Sequence, residues 1–190
     1  MKKINVPITQ AFRLAYPKIV CLITAVDPNK ENDNIITLAW TTSISFNPPI
    51  FGVSIGPTRY THNLIKQTEE FGVNLPTIEI VDKILYCGRN SGKRVNKFEK
   101  TGLTPIPAKK IQAKLIKECI TNFECKVIDV QEYGDHSFFV GRVVAAIANE
   151  GTYDLTKKRL NIKELNLIFH CGGDFFCTNQ NTLISPKKVK

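Results

Sequence analysis

The sequence predicts a mainly β fold with short helices, a β-barrel carrying helical insertions. Three observations point there. Runs rich in β-branched and apolar residues recur at 19–26, 34–42, 50–55, 71–75, 119–131 and 137–148. The helical stretches between them are few and short, unlike an alternating βαβ chain. No strand opens into a G-x-G-x-x-G helix start, which argues against a Rossmann unit.

The elements follow in order. IVCLITAV at 19–26 reads as a strand, and Asp27-Pro28-Asn29 supplies turn chemistry for a loop running to Asn34. NIITLAWTT at 34–42 reads as a second strand. Asn47-Pro48-Pro49 is expected to forbid regular pairing, because two residues lack an N–H. IFGVSI at 50–55 is a third strand, ended by Gly56-Pro57. Residues 61–70 read as a helix with Leu64, Ile65 and Thr68 on one face, capped by Thr58 or Thr61. FGVNL at 71–75 is a short strand stopped by Pro76. Thr77 is placed to cap a second helix with Ile80, Val81, Ile84 and Leu85 on one side. Residues 96–100 read as a short third helix before Gly102, and proline and lysine through Lys110 read as loop. Tyr133-Gly134-Asp135-His136 joins the last two strands into a long hairpin. The pattern over 151–165 is mixed, and 167–176 interleaves apolar residues with Gly172-Gly173.

At 190 residues, the chain reads as a single domain with room for a sizeable core. No apolar run reaches the length of a membrane span. The start MKKINVPITQAFRLAYP lacks the apolar stretch of a secretory signal, so a cytoplasmic protein is expected. The formal net charge is +9, with positive residues thickening at 93–100, 109–117, 157–159 and 187–190. Nucleic acid or an anionic cofactor can each explain such a charge. No standard nucleic-acid motif accompanies it. None of the six cysteines forms a C-x-x-C pair, and no oxidising compartment is marked, so reduced thiols are expected. Cys21 reads as a small core residue. His170, Cys171 and Cys177 match no standard metal site, and no metal is expected.

CGRNSGK at 87–93 resembles a phosphate cradle. It is not the nucleoside-triphosphatase loop: Gly88 and Gly92 stand one residue too close, and Arg94 replaces the hydroxyl residue that would hold magnesium. Backbone N–H groups, Ser91 and the lysines still favour an anion. A solvated basic loop is the plainer alternative.

Several motifs come in one order: Asn34-x-x-Thr37-x-Ala39-Trp40, Ser43-x-Ser45-Phe46-Asn47-Pro48-Pro49, Val53-Ser54-Ile55-Gly56, Arg59-Tyr60-Thr61, and Gly72-Val73-Asn74-Leu75-Pro76. Then come Cys87-Gly88-x-x-Ser91-Gly92-Lys93, Lys97-Phe98 and Gly102-Leu103. Together they resemble the flavin reductase-like family, within it the flavoredoxin and archaeal ferric reductase branch. The resemblance covers about 16–148, the expected core, and leaves 149–190 as an extension without an assigned role. It implies an FMN-binding split β-barrel, a homodimer with flavin near the subunit interface, and electron transfer from NADH or NADPH through flavin to a soluble acceptor.

In that reading Arg59 offers a planar fork to the phosphate and Thr61 a hydroxyl, at a helix start that favours anions. Ser91, Lys93 and Lys97 close over the phosphate or ribityl chain. Thr37, Ala39, Trp40, Thr41 and Thr42 run alongside the isoalloxazine, Trp40 packing near the ring and the two threonines offering hydroxyls to its edge. Ser54, Ile55 and Gly56 belong to a strand beside the cofactor. His62 stands next to Thr61, as either a phosphate helper or a helix-surface residue. His136 is expected in a solvated turn, and His170 near the ring or the dimer interface. Flavin itself supplies the redox reaction, so no catalytic triad or carboxylate pair is needed, and none is found. Two other functions compete: a flavin carrier without nicotinamide activity, and a basic nucleic-acid-binding barrel. The absence of aromatic-basic readout motifs weakens the second.

Overall fold

The computed structural model describes residues 1–29 and 33–182. The charges at 187–190, and residues 30–32 of the expected loop, lie outside them. Strands hold 42% of the chain against 21% in helix, so the mainly β expectation holds. The elements are β1 (Lys18–Ile19), β2 (Cys21–Ala25), β3 (Asn34–Leu38), β4 (Thr41–Phe46), β5 (Pro49–Ile55), α1 (Tyr60–Thr68), β6 (Glu70–Leu75), α2 (Val81–Arg89), α3 (Lys97–Thr101), β7 (Pro105–Ile106), β8 (Leu115–Ile116), β9 (Thr121–Tyr133), β10 (His136–Ala148), β11 (Tyr153–Asp154), β12 (Arg159–Leu160), β13 (Ile168–Gly172) and β14 (Phe175–Thr178).

Seven antiparallel strands form the main sheet in the order β3-β2-β6-β9-β10-β5-β4. Its two edge strands, β3 and β4, are consecutive in the chain. Only Ala39 and Trp40 join them, so the sheet must curl until its edges meet. The Ser54 N–H donates to the Trp40 carbonyl at 2.9 Å and fixes that junction. The result is the split β-barrel.

Two sequence expectations need correction here. The run 34–42 is two strands broken at Ala39-Trp40, because the chain must turn from one sheet edge to the other. The Asn47-Pro48-Pro49 corner does not forbid pairing. Asn47 and Pro48 make a two-residue turn, and Pro49 pairs with Phe46 as the first residue of β5, a position where a missing N–H is tolerated.

β2 is buried on both faces, which explains its continuous apolar run. Cys21, Ile23 and Ala25 pack inside the barrel with Val53, Ile55, Leu64, Ile65, Phe71 and Phe139. Leu22, with neighbouring Val20, faces an outer cluster with Ile84, Cys87, Phe98, Leu103 and Ile168. α1 therefore packs into the barrel core, while α2 and α3 cover the β2–β3 surface. The 109–114 segment is tied down by carboxylates. Buried Glu124 accepts from the Lys109 and Lys110 N–H groups at 2.9 and 2.6 Å, and buried Glu70 accepts from Gln112 N–H at 2.6 Å.

Past β10 the chain returns to the barrel. β13 pairs with β1, setting His170 opposite Lys18 and Phe169 opposite Ile19, and β14 completes a three-stranded sheet. The Val20 N–H donates to the Ile168 carbonyl at 3.2 Å, and Thr77 bridges to Leu167. The C-terminal hairpin thus stands over the open seam between β3 and α2.

Candidate cofactor site

A cleft of about 280 Å³ lies at the seam. Its floor comes from β3 and its continuation (Ile36, Thr37, Leu38, Ala39, Trp40) and from the end of β5 (Ser54, Ile55, Gly56). Ile84, Leu85, Gly88 and Arg89 of α2 form one wall. The C-terminal hairpin gives His170, Gly173, Asp174 and Phe176 to the other. Aromatic rings close one end: Trp40 stands 4.9 Å from the His136 ring, and His170 stands 5.5 Å from Phe176 and 5.4 Å from Tyr16.

The other end opens into a polar cavity of about 140 Å³, which shares Ile36, Arg59, Gly88 and Arg89 with the cleft. Arg59, Arg89, Arg94 and Lys97 line it with Thr61, Asn90 and Ser91, and among the described residues no carboxylate does. Arg59 sits at the N-terminus of α1, where backbone N–H groups have no helical partner and favour an anion.

Each polar side chain here has a defined state. Thr61 is buried, and its Oγ1 accepts from Asn34 Nδ2 at 2.7 Å. Asn34 Oδ1, also buried, has no hydrogen-bond partner among the described residues. A buried acceptor without a donor is costly. Gly92 packs directly over this atom: a Cβ there would sit 2.0 Å from Asn34 Oδ1. Lys97 is 3% exposed, and its Nζ donates to the Ile35 and Cys87 carbonyls at 2.5 and 2.7 Å. An ammonium has three donors, which leaves one for a ligand. Burial pushes this amine down to about 8, and the like charge of Arg59 adds to the effect, while Cys87 opposes it.

The expected residues divide three ways. Thr37, Ala39, Trp40, Ser54, Ile55, Gly56 and Arg59 line the cleft, and Arg59, Thr61, Ser91 and Lys97 line the polar cavity. The Thr37 hydroxyl is spent on the Ile84 carbonyl, at 2.6 Å. Thr41 and Thr42 line an adjoining open depression with Phe12 and Phe138, which shares Ala39, Trp40 and Ser54 with the cleft. There Thr41 Oγ1 meets Cys21 Sγ at 3.6 Å, and Thr42 Oγ1 donates to the Ser43 carbonyl at 3.2 Å. Lys93 faces another depression, lined by Asp27 and Asp33, with its Nζ 5.7 Å from the Tyr60 ring centroid.

The CGRNSGK stretch is not wholly a loop. Cys87, Gly88 and Arg89 are the last residues of α2, and the loop begins at Asn90. His62 is neither a phosphate helper nor a surface residue: it is buried, and its Nε2 shares a 2.9 Å hydrogen bond with Ser137 Oγ inside the barrel. His136 is not simply solvated, because the β9–β10 turn folds over the cleft and lays its ring beside Trp40. Sequence reasoning missed Arg89, Arg94, Asn34, Asp174 and Phe176. The first two sat within a stretch already conspicuous for its basic residues. Asp174 and Phe176 reach the cleft only through the long-range pairing of β13 with β1.

This seam, with rings at one end and cations at the other, defines a family. The chain belongs to the flavin reductase-like family, whose domain matches residues 12–165. It is 39% identical over 157 residues to an uncharacterized protein of Archaeoglobus fulgidus, covering 82% of this chain and 86% of that one. Among solved structures it resembles the flavoredoxin of Methanosarcina acetivorans, with a TM-score of 0.85, 28% identity, and coverage of 100% of this chain and 97% of that one. It also resembles an FMN-binding protein of Thermus thermophilus solved with bound 1-cyclohex-2-enone, with a TM-score of 0.84, 26% identity, and coverage of 98% and 99%. Among the described residues no helix is long and apolar enough to cross a membrane.

Proposed function

We propose that the chain binds FMN along this trough and acts as an oxidoreductase, passing electrons from NADH, NADPH or another reduced donor to a soluble acceptor. The observation that carries the reading is the junction of the two cavities. A pocket with four cationic side chains, and with no carboxylate among the described residues, opens directly into a cleft walled by rings. FMN has the matching form, a single terminal phosphate at one end and a flat ring system at the other.

Arg59 and Arg94 offer planar forks to the phosphate, with the Ser91 and Thr61 hydroxyls beside them. Lys97 adds its third N–H. Backbone groups of 37–40 serve the pyrimidine edge, and Trp40, His136, His170 and Phe176 exclude water from the ring end. Bound flavin supplies hydride and electron chemistry. The chain's own residues hold it and leave a face for the donor.

Apo-protein titrated with FMN and with FAD tests this. Tighter binding of FMN is expected, and equal or tighter binding of FAD overturns the assignment. The likeness to a flavoredoxin supports a second reading, an electron carrier that holds flavin tightly and does not use nicotinamide. Oxidation of NADH or NADPH by the purified protein separates the two. The family resemblance also supports a cytoplasmic homodimer. Exposed Ile44 and Phe46 on the edge strand β4 give such a dimer apolar surface to cover. Light scattering that finds a flavin-loaded monomer at micromolar concentration counts against it.

A further inference from the structure

Trp40 borders two cavities and meets a ring from each. One is His136 of the cleft, at 4.9 Å between ring centroids, and the other is Phe12 of the adjoining depression, at 5.8 Å. Phe12 belongs to a short 3-10 helix, Ile8–Ala15, that precedes β1. The depression has a volume of about 410 Å³, within the range of small-molecule sites. Its ring walls are Phe12, Trp40 and Phe138. Gly52 of β5 admits the last of these, because a Cβ there would overlap the Phe138 ring.

The polar groups of this depression are few, and two are spent. Thr41 Oγ1 contacts Cys21 Sγ, and Thr42 Oγ1 donates to the Ser43 carbonyl. The half-buried Lys18 lines the same space, and its ammonium makes no hydrogen bond or ion pair among the described residues. No carboxylate among the described residues lines the depression. Arg13, its guanidinium carbon 5.2 Å from the Phe12 ring centroid, brings a second positive charge to that wall. Phe12 is 42% exposed and the other two rings are half-buried, so apolar area remains to be covered.

This combination selects a chemical class. Ring walls favour a flat aromatic ligand, which can stack on them or meet them edge-on. An unpaired ammonium without a neighbouring carboxylate favours a negative charge on that ligand. A neutral ring leaves the ammonium unanswered, and an aliphatic acid leaves the rings uncovered.

We propose that the depression is a binding site for a small planar aromatic anion, such as an aromatic carboxylate, with its ring against Phe12 and Phe138 and its charge facing Lys18. The site is separate from the anion cavity, whose cations line the other end of the cleft. Ala39, Trp40 and Ser54 border both the depression and the cleft, so only these residues stand between an aromatic ligand here and the cofactor trough. A role for that ligand as electron acceptor rests on the FMN reading; the binding site does not.

Trp40 is the one tryptophan of the chain, so NMR of the isotope-labelled native protein shows a single indole N–H signal, and that signal reports on this wall. The protein is titrated with cinnamate and with cinnamyl alcohol, its neutral counterpart. Cinnamate is expected to shift the Trp40 signal saturably and to bind roughly tenfold more tightly than the alcohol. Lys18→Gln is expected to remove that preference while leaving the affinities for the alcohol and for FMN unchanged. Phe12→Ala should weaken both cinnamyl ligands alike. Equal affinity for the two in the native protein overturns the proposal. So does a Trp40 signal unmoved by millimolar cinnamate, which in a dimeric protein assigns the rings to the subunit contact. Displacement of cinnamate by FMN overturns it too, because the two then share one cleft. Saturable cinnamate binding by a protein that does not take up FMN supports this site and counts against the flavin assignment alone. The comparison in the native protein decides the matter even if a variant folds poorly.

Discussion

Arg89 and Asp174, 85 residues apart in sequence, meet as an ion pair across the mouth of the cleft. The Arg89 Nε donates to Asp174 Oδ1 at 2.8 Å, and an Nη2 contact reinforces it. Arg89 ends α2 and Asp174 sits in the turn between β13 and β14, so the pair ties the two cleft walls together.

Both side chains are more than half exposed, at 60% and 57%. A pair so open to water contributes little to stability, on the order of 1 kcal/mol or less. Its influence falls on the ligand. Asp174 holds a guanidinium that also lines the anion cavity. Asp174→Ala is therefore expected to leave thermal stability nearly unchanged and to tighten FMN binding severalfold, while Arg89→Ala weakens it. Melting curves and flavin titrations of the two variants check this. Equal affinities in both variants would show that Arg89 does not reach the phosphate.

Arg59→Ala is expected to weaken FMN binding far more than Arg142→Ala. Arg59 stands where the two cavities join, at the start of α1. Arg142 is exposed in mid-β10, opposite Ile50 and Lys126, and lines none of these cavities. Losing a charge-assisted contact costs roughly 1.5–3 kcal/mol, about tenfold to a hundredfold in affinity. Arg59→Lys should recover only part, because it keeps the charge and loses the fork. Flavin fluorescence quenching across the variants measures this, with circular dichroism as the folding control. Parent-like binding by a folded Arg59→Ala protein places the phosphate elsewhere.

Lys97 links the site to pH. Its amine lies near 8 in the folded protein against an ordinary 10.5. Between those values the unfolded chain holds more protons, so stability from this group rises as pH climbs through the window. The gain amounts to roughly 3 kcal/mol at most. Phosphate binding acts in the opposite sense, because an anion favours the charged amine. FMN affinity should therefore fall as pH rises above about 8. Lys97→Met is expected to flatten both slopes. Denaturant titrations and FMN titrations at matched pH, compared with the parent, separate this lysine from the exposed ones.

What the sequence made legible was local. The 19–26 run and the long hairpin were readable because every residue of β2 is buried, and because β9 and β10 flank a glycine-containing turn. The strand β4 was hidden by the prolines that follow it, since a proline that breaks one strand can begin the next. Arg59, Thr61, Ser91 and Lys97, which line the polar cavity, stood out because they sit beside a helix start or in a basic, glycine-containing stretch. Asp174, Phe176 and the place of His136 were not, because the pairing of β13 with β1 and the fold of a turn over Trp40 join residues far apart in the chain. The partners of the Thr37 and Thr41 hydroxyls were hidden for a related reason. The Ile84 carbonyl and Cys21 come from other elements, and no local pattern announces them.

His62 gives a last and separate test, because it lies next to a cavity residue in sequence but faces the other way. Its Nε2 bonds Ser137 Oγ at 2.9 Å, and its ring stands 5.1 Å from that of Phe139 in the barrel core. The bond joins α1 to β10, and both residues are buried. Ser137→Ala leaves a ring nitrogen without a partner, which costs about 1–3 kcal/mol. Chemical denaturation should show that loss. FMN titration should show none, since neither side chain lines the cleft or the anion cavity. If instead affinity falls while stability holds, His62 acts on the ligand after all, and α1 must present a different face to the phosphate than the one described.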